Sequence, residues 1–272
     1  MSENKHRVII IAADSNYLTH AKSLMVNCVR HGGWTGDIAL ISPPGTDVEE
    51  FGRRGIVTVE SDVPGPQHQK YTVFSQVFQK WDEALYLDCD ILVQGDLQGL
   101  FAELEHADLI ADREMFSLFH CFTYWAQQDT FNNAPDGIYD WLWSTYDPLY
   151  RQFNTGVLLF RTSVIPEDAV KKLIEMRDKI APINIHVVNG TDQPVFNLVF
   201  YDRFTKVRDN LVSYWETCSP ESIVLHYCSG YAPWIDKKRG MDAYLNEKLG
   251  RPCNDIYVEN LSAFEETFPC IP

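Results

Sequence analysis

The chain has 272 residues, and 45% of them are hydrophobic, enough to fill the core of one large domain or two small ones. Aspartate and glutamate number 38 against 23 lysines and arginines, a formal charge of −15. That balance argues against a nucleic-acid binder, which would show a basic face, but not against an anionic small ligand met by local cations or a metal. No apolar run reaches the roughly 18 residues of a transmembrane helix. The opening "MSENKHRVIIIAADSN" reads as the approach to a strand rather than as a signal peptide. Seven scattered cysteines without a CxxC pair suggest reduced thiols and a cytoplasmic protein.

Arg7 to Ala13 is β-branched and apolar, which predicts a buried first strand. Ala21, Leu24, Met25, Cys28 and Val29 recur at helical spacing, and Gly32 and Gly33 end that helix. "DIALIS" is a second strand, "GTDVEEFGRRG" a short helix and "IVTVE" a third strand. Tyr71, Phe74, Phe78 and Trp81 predict one helix over 67–81. "EALYLDCDILV" and "ADLIAD" follow as strands. Alternation through about residue 112 predicts an α/β fold with a mostly parallel, Rossmann-like sheet flanked by helices. Ligands of such sheets bind beyond the carboxyl ends of the strands.

Residues 113–150 are rich in aromatics, Asn, Pro and Gly, and read as an excursion of short helices and loops. "FNTGVLLFR" is a further strand, and "PEDAVKKLIEMRDKI" a helix with Pro166 near its start. "DQPVFNLVFYD" reads as a helix, "SIVLHY" as a strand and "MDAYLNEKLG" as a late helix. No repeat, low-complexity stretch or linker appears, so one domain with a C-terminal extension is expected.

Asp88 and Asp90 stand at the end of an otherwise apolar strand. Residues i and i+2 of a strand share a face, so the two carboxylates can converge while Cys89 turns away. Two carboxylates this close repel unless a proton or cation lies between them. Oxygen ligands favour Mg²⁺ or Mn²⁺, which in turn bind phosphate oxygens. The bland reading is a solvated surface turn.

Taken with five other stretches, "YLDCDILVQGDL" resembles the metal motif of the glycogenin-like retaining glycosyltransferases. That family includes bacterial lipopolysaccharide galactosyltransferases (glycosyltransferase family 8, GT-A fold). "IAADSNY" is similar to its uridine-binding loop, and "KYTVFSQVFQKWDEALYLDCD" to its lysine-bearing helix before the metal. "FNTGVLLF", "TDQPVFN" and "VLHYCSGYAPW" resemble its later motifs, in the same order.

The resemblance implies a GT-A domain with a nucleotide-binding half at 1–112, a sugar and acceptor half at 113–234 and an extension at 235–272. It implies Mn²⁺ or Mg²⁺ on Asp88, Asp90 and His226, and a UDP-sugar as donor. Ala13, Asp14, Asn16 and Tyr17 would hold the uridine, with Lys70 near the diphosphate. Asn154, Asp192 and Gln193 would face the transferred sugar, either with Gln193 beneath the anomeric carbon or with the acceptor attacking from the leaving-group face. Plainer readings stand beside these: a core histidine at 226, a solvated lysine at 70, and helix caps at Asp14, Asn16 and Asp192. The family lysine two places before the motif tryptophan is Ala232 here, and the motif glycine falls one place late, at Gly230. Phosphate charge would then be met by Lys237, Lys238 or Arg239. The acceptor is left open among a glycan, a lipid-linked sugar, a protein side chain and a small molecule, and so is a homodimer. Two other classes fit less of the chain. A haloacid-dehalogenase-like phosphatase shares the Asp-x-Asp strand but begins with it. A nucleotide-sugar-binding homologue without turnover is suggested by Ala232.

Overall fold

The computed structural model describes residues 5–65, 68–123, 134–184, 191–208, 211–214, 219, 221–227, 234 and 253–271. Its centre is a seven-stranded sheet in the order β3-β2-β1-β4-β7-β6-β8. The strands are β1 (Arg7–Ala12), β2 (Asp37–Ser42), β3 (Val57–Glu60), β4 (Glu83–Leu87), β6 (Leu109–Ser117), β7 (Arg151–Arg161) and β8 (Thr205–Lys206). All neighbours are parallel except at β7, which runs against both β4 and β6. The expected mostly parallel sheet is therefore present.

Val8 to Ile11 have no exposed surface because helices cover both faces of the sheet. Val8 and Ile10 join the core on one face with Tyr86, Phe74 and Phe160, whereas Ile9 and Ile11 join the other with Leu85, Leu87 and Met25. Helix α1 (Leu18–Arg30) covers the second face and breaks at the glycine pair, with Gly33 at φ 60°. Register sets β1 against β4 through Ile11↔Leu87, so both strands end at the same edge. At the far edge Glu83 is wholly buried and paired with Lys5, Arg7 and Arg161.

Three expectations change. Residues 67–81 do not form one α-helix: the described part is two 3₁₀ segments, His68–Phe74 and Gln76–Lys80, divided at Ser75 in extended backbone (φ −81°, ψ 159°). A 3₁₀ turn aligns every third residue, so 71 with 74 and 78 with 81 both face inward, and the break at Ser75 absorbs the odd residue. "EALYLDCDILV" is not one strand either. It ends at Leu87, turns through Asp88–Asp90 and resumes as β5 (Ile91–Val93) in a second sheet. That sheet has the order β5-β10-β9, with β9 Val212–Tyr214 and β10 Val224–His226. Finally, the helix expected after Pro166 begins only at Ala169. The expected helix "MDAYLNEKLG" lies outside the described residues, and helix Cys253–Ser262 was not expected. No described helix is long and apolar enough to cross a membrane.

Candidate active site

Asp88 and Asp90 occupy the turn that leaves the main sheet, and His226 ends β10. Antiparallel pairing of β10 with β5 sets His226 opposite Ile91, and the Tyr227 amide donates to the Asp90 carbonyl (3.1 Å). The two carboxylates and the imidazole thus offer atoms within 4.8 Å of one another. Convergence comes from the turn, not from the strand pleat expected. Cys89 does turn away, its thiol donating to the Ala12 carbonyl at 3.5 Å.

Two carboxylates and one imidazole suit Mn²⁺ and accept Mg²⁺. Asp90 Oδ1 is shielded from solvent with no well-formed hydrogen bond among the described residues, and stands 3.3 Å from His226 Nε2. The residues therefore fit a divalent cation. Burial opposes charge on both groups, but mutual attraction prevails: His226 titrates above its ordinary value and Asp90 below. Asp88 titrates above its ordinary value through burial and the neighbouring carboxylates, against the pull of Lys70.

Lys70 is buried, so it is not a solvated helix-face lysine. Its Nζ stands 2.9 Å from both Asp88 and Asp192 and 3.3 Å from the Thr155 carbonyl, over the Tyr86 ring. Burial opposes its charge, yet the two carboxylates raise its pKa. Asp192 occupies the N-cap position of helix Gln193–Val199, but its side chain makes no capping hydrogen bond and goes to Lys70 instead.

Helix 193–199 is pinned to β7 by Asn197, which accepts from the Phe153 amide (2.7 Å) and donates to the Phe153 carbonyl (2.8 Å). This sets Gln193 beside Asn154, whose Nδ2 donates to Gln193 Oε1 at 3.3 Å. At the end of β1, Ala13 is buried and donates its amide to the Ile41 carbonyl (2.9 Å). Asp14 makes an Asx turn with the Asn16 amide (2.9 Å) rather than capping α1, whose N-cap is Tyr17. The Tyr17 hydroxyl titrates above its ordinary value through partial burial and the charges of Asp14, Asp90 and Asp88, which ties this loop to the carboxylate turn. Gly230, Ala232, Lys237, Lys238 and Arg239 lie outside the described residues.

Three contributors were not read from the sequence. Tyr86 donates its hydroxyl to Asp88, and its place two residues earlier in a strand was the available signal. Gly156 sits where an added Cβ would lie 2.3 Å from His226 Cε1. Asp112 is buried on β6 where its register against β7 shifts, and burial raises its pKa to about 6. An acid with a raised pKa holds its proton more tightly when folded, so stability falls as pH rises from the unfolded value to the folded one. For Asp112 that window is about pH 4–6, and the loss is about 2–3 kcal/mol. Asp112→Asn should remove this component, which urea unfolding at both ends of the window will measure. An unchanged pH slope in Asp112→Asn would contradict the assignment.

The sequence model of "Glycosyl transferase family 8" matches residues 67–238. A probable glycosyl transferase, Gly, of Streptococcus gordonii is 31% identical over 180 residues, covering 60% of this chain and 22% of that protein. Glycosyltransferase GlyE of Streptococcus pneumoniae is 22% identical over 267 residues, covering 85% of this chain and 57% of GlyE. This chain therefore spans between about a fifth and three-fifths of the length of these relatives. The crystal structure of GlyE superposes with a TM-score of 0.58 at 23% identity, over 98% of this chain and 66% of that one. The galactosyltransferase LgtC, in complex with donor and acceptor sugar analogues, superposes at 0.57 and 15% identity over 97% of each chain. These likenesses show a shared fold, and the sequence match, over more than half of the residues, shows that the chain belongs to glycosyl transferase family 8.

Proposed function

We propose that this chain moves a hexose, glucose or galactose, from a UDP-sugar to a hydroxyl acceptor with retention of anomeric configuration. The observation that carries the reading is the Asp88, Asp90 and His226 cluster, with Asn154 and Gln193 paired on the adjoining strand and helix. Asp88, Asp90 and His226 would hold Mn²⁺ or Mg²⁺, which supplies Lewis-acid stabilisation of the departing diphosphate.

The chain's own groups do the positioning. Asp14, Asn16 and Tyr17, with the Ala13 backbone, orient the uridine. Lys70 fixes the carboxylates of Asp88 and Asp192, so the diphosphate and sugar ends of the site are held by one cation. Asn154 and Gln193 present amide groups to sugar hydroxyls and the anomeric carbon. An amide is a feeble base, which favours attack from the leaving-group face, where the departing phosphate takes the acceptor's proton. The phosphate charge that Ala232 leaves unmet is assigned to Lys237, Lys238 or Arg239, which, like Gly230, lie outside the described residues. Glycan, lipid-linked, protein and small-molecule acceptors all carry the hydroxyl this needs.

UDP should bind at least about tenfold more tightly with Mn²⁺ than with EDTA, a difference of about 1.4 kcal/mol or more. Calorimetry measures this, and equal affinity in both conditions would remove the metal from the reading. A panel of UDP-sugars with Mn²⁺, scored for slow donor hydrolysis, identifies the sugar; hydrolysis of none of them would favour a binding protein.

A further inference from the structure

Behind the proposed uridine loop stands a column of four rings. The His20 ring, in the first turn of α1, stacks on Trp234 at 3.6 Å between centroids and 12° between planes. Tyr17 meets both edge-on, at 5.5 Å from His20 and 6.2 Å from Trp234. The fourth ring comes from the C-terminal helix Cys253–Ser262, which packs along α1: the Tyr257 hydroxyl and His20 Nδ1 share a hydrogen bond of 2.7 Å. The Ser23 hydroxyl ties the same helix to α1 by donating to the Tyr257 carbonyl (3.0 Å). Burial holds the His20 pKa below its ordinary value, so the stacked ring is neutral.

A second observation links this helix to the carboxylate turn. Asn260 is 3% exposed, and its Nδ2 has no hydrogen-bond partner among the described residues. It lines a cavity of about 10 Å³ shared with His20, Asn27, Tyr257 and Cys89. That is room for one water among polar groups. Cys89, which also lines it, is the residue between Asp88 and Asp90. Tyr17, His20, Tyr257 and Asn260 all fall outside residues 67–238, the stretch matched by the family.

We propose that the C-terminal helix is part of the donor site, with Tyr257 and His20 as positioning residues for the nucleobase. Tyr17 is 47% exposed, so its ring has a free side on which a base can lie. A stacking surface adds affinity in proportion to how little ordering it needs when the ligand arrives. His20 removes that need. Its plane is set by Tyr257 on one atom and by Trp234 across one face, and it meets Tyr17 at the edge. Trp234, at the end of the segment that follows His226, is docked by the same ring. This inference rests on the reading of the site as one for UDP.

The test uses the full chain with Mn²⁺ and two probes, UDP and inorganic pyrophosphate, which lacks the base. His20→Ala should weaken UDP about tenfold and raise the donor KM to match, with kcat within about twofold. Pyrophosphate affinity should not change. His20→Phe keeps a ring in the stack and should recover most of the loss. Tyr257→Phe, which deletes one oxygen and spares the fold, should weaken UDP about threefold, and adding it to His20→Ala should cost nothing more. Equal weakening of UDP and pyrophosphate would mark a structural effect and overturn the proposal, as would UDP affinity unchanged in His20→Ala. If the unaltered protein binds pyrophosphate but gains nothing from the uridine, the nucleotide reading falls and this inference with it.

Discussion

Replacing Asp90 with asparagine is expected to lower transfer at least about a hundredfold, or about 2.7 kcal/mol in transition-state stabilisation, while the fold persists. The substitution keeps the shape of the side chain and removes its charge. It stands in a turn beyond the end of β4, and asparagine keeps the backbone bond from the Tyr227 amide. Its partner His226 is buried, and its raised pKa depends on Asp90. Without that carboxylate the imidazole can shed its proton, which avoids stranding a charge in the interior and keeps the cost to stability small. The measurement is donor turnover at saturating Mn²⁺ beside thermal unfolding. Turnover at the level of the unaltered protein would end the proposed role of the carboxylate pair.

Gly156→Ala should be nearly as damaging, by a different route. An ideal Cβ there would lie 2.3, 2.7 and 2.9 Å from His226 Cε1, Nε2 and Nδ1. Gly156 has no positive φ, so alanine is acceptable to the backbone and the whole effect comes from the clash. The ring is 4% exposed, so its neighbours must shift if it is displaced. Displacement of the imidazole should weaken Mn²⁺ at least about tenfold, and the overpacking should cost about 1–3 kcal/mol of stability. Gly52→Ala is the control, since nothing lies within 4 Å of a Cβ at that position. Calorimetric titration of Mn²⁺ together with thermal unfolding tests both effects. Unaltered Mn²⁺ affinity in Gly156→Ala would show that the contact has no bearing on the ligand set.

The sheet was legible in the sequence because its strands are short apolar runs set between helical patterns, as in "RVIIIA" and "DIALIS". What periodicity misread were places where two elements meet. Apolar spacing over 71–81 is compatible with an α-helix or with broken 3₁₀ turns, and only packing decides between them. "EALYLDCDILV" is apolar on both sides of its aspartates because each half is buried in a different sheet, and nothing local marks the change. Among site residues, the motifs supplied Asp88, Asp90, His226 and Lys70, but not their supports. The bond from Tyr86 to Asp88 follows from strand alternation, whereas the fit of Gly156 to the His226 ring spans 70 positions and needed the fold. The rings around His20 join residues 17, 20, 234 and 257, a grouping that no window of sequence contains.

The reversed direction of β7 has a consequence for how the site breathes. In an all-parallel sheet, only residues just past each strand can reach the ligand edge, and those belong to loops. Because β7 runs the other way, its opening residues lie at that edge while still paired within the sheet: the Gly156 carbonyl accepts from the Asp88 amide at 2.9 Å, and Val157 faces Leu87. The Asn154 side chain further accepts from the Gly156 amide at 2.8 Å. Local opening there would have to break the middle of the sheet, so its free energy approaches that of global unfolding. The proposed sugar end is thus a fixed wall.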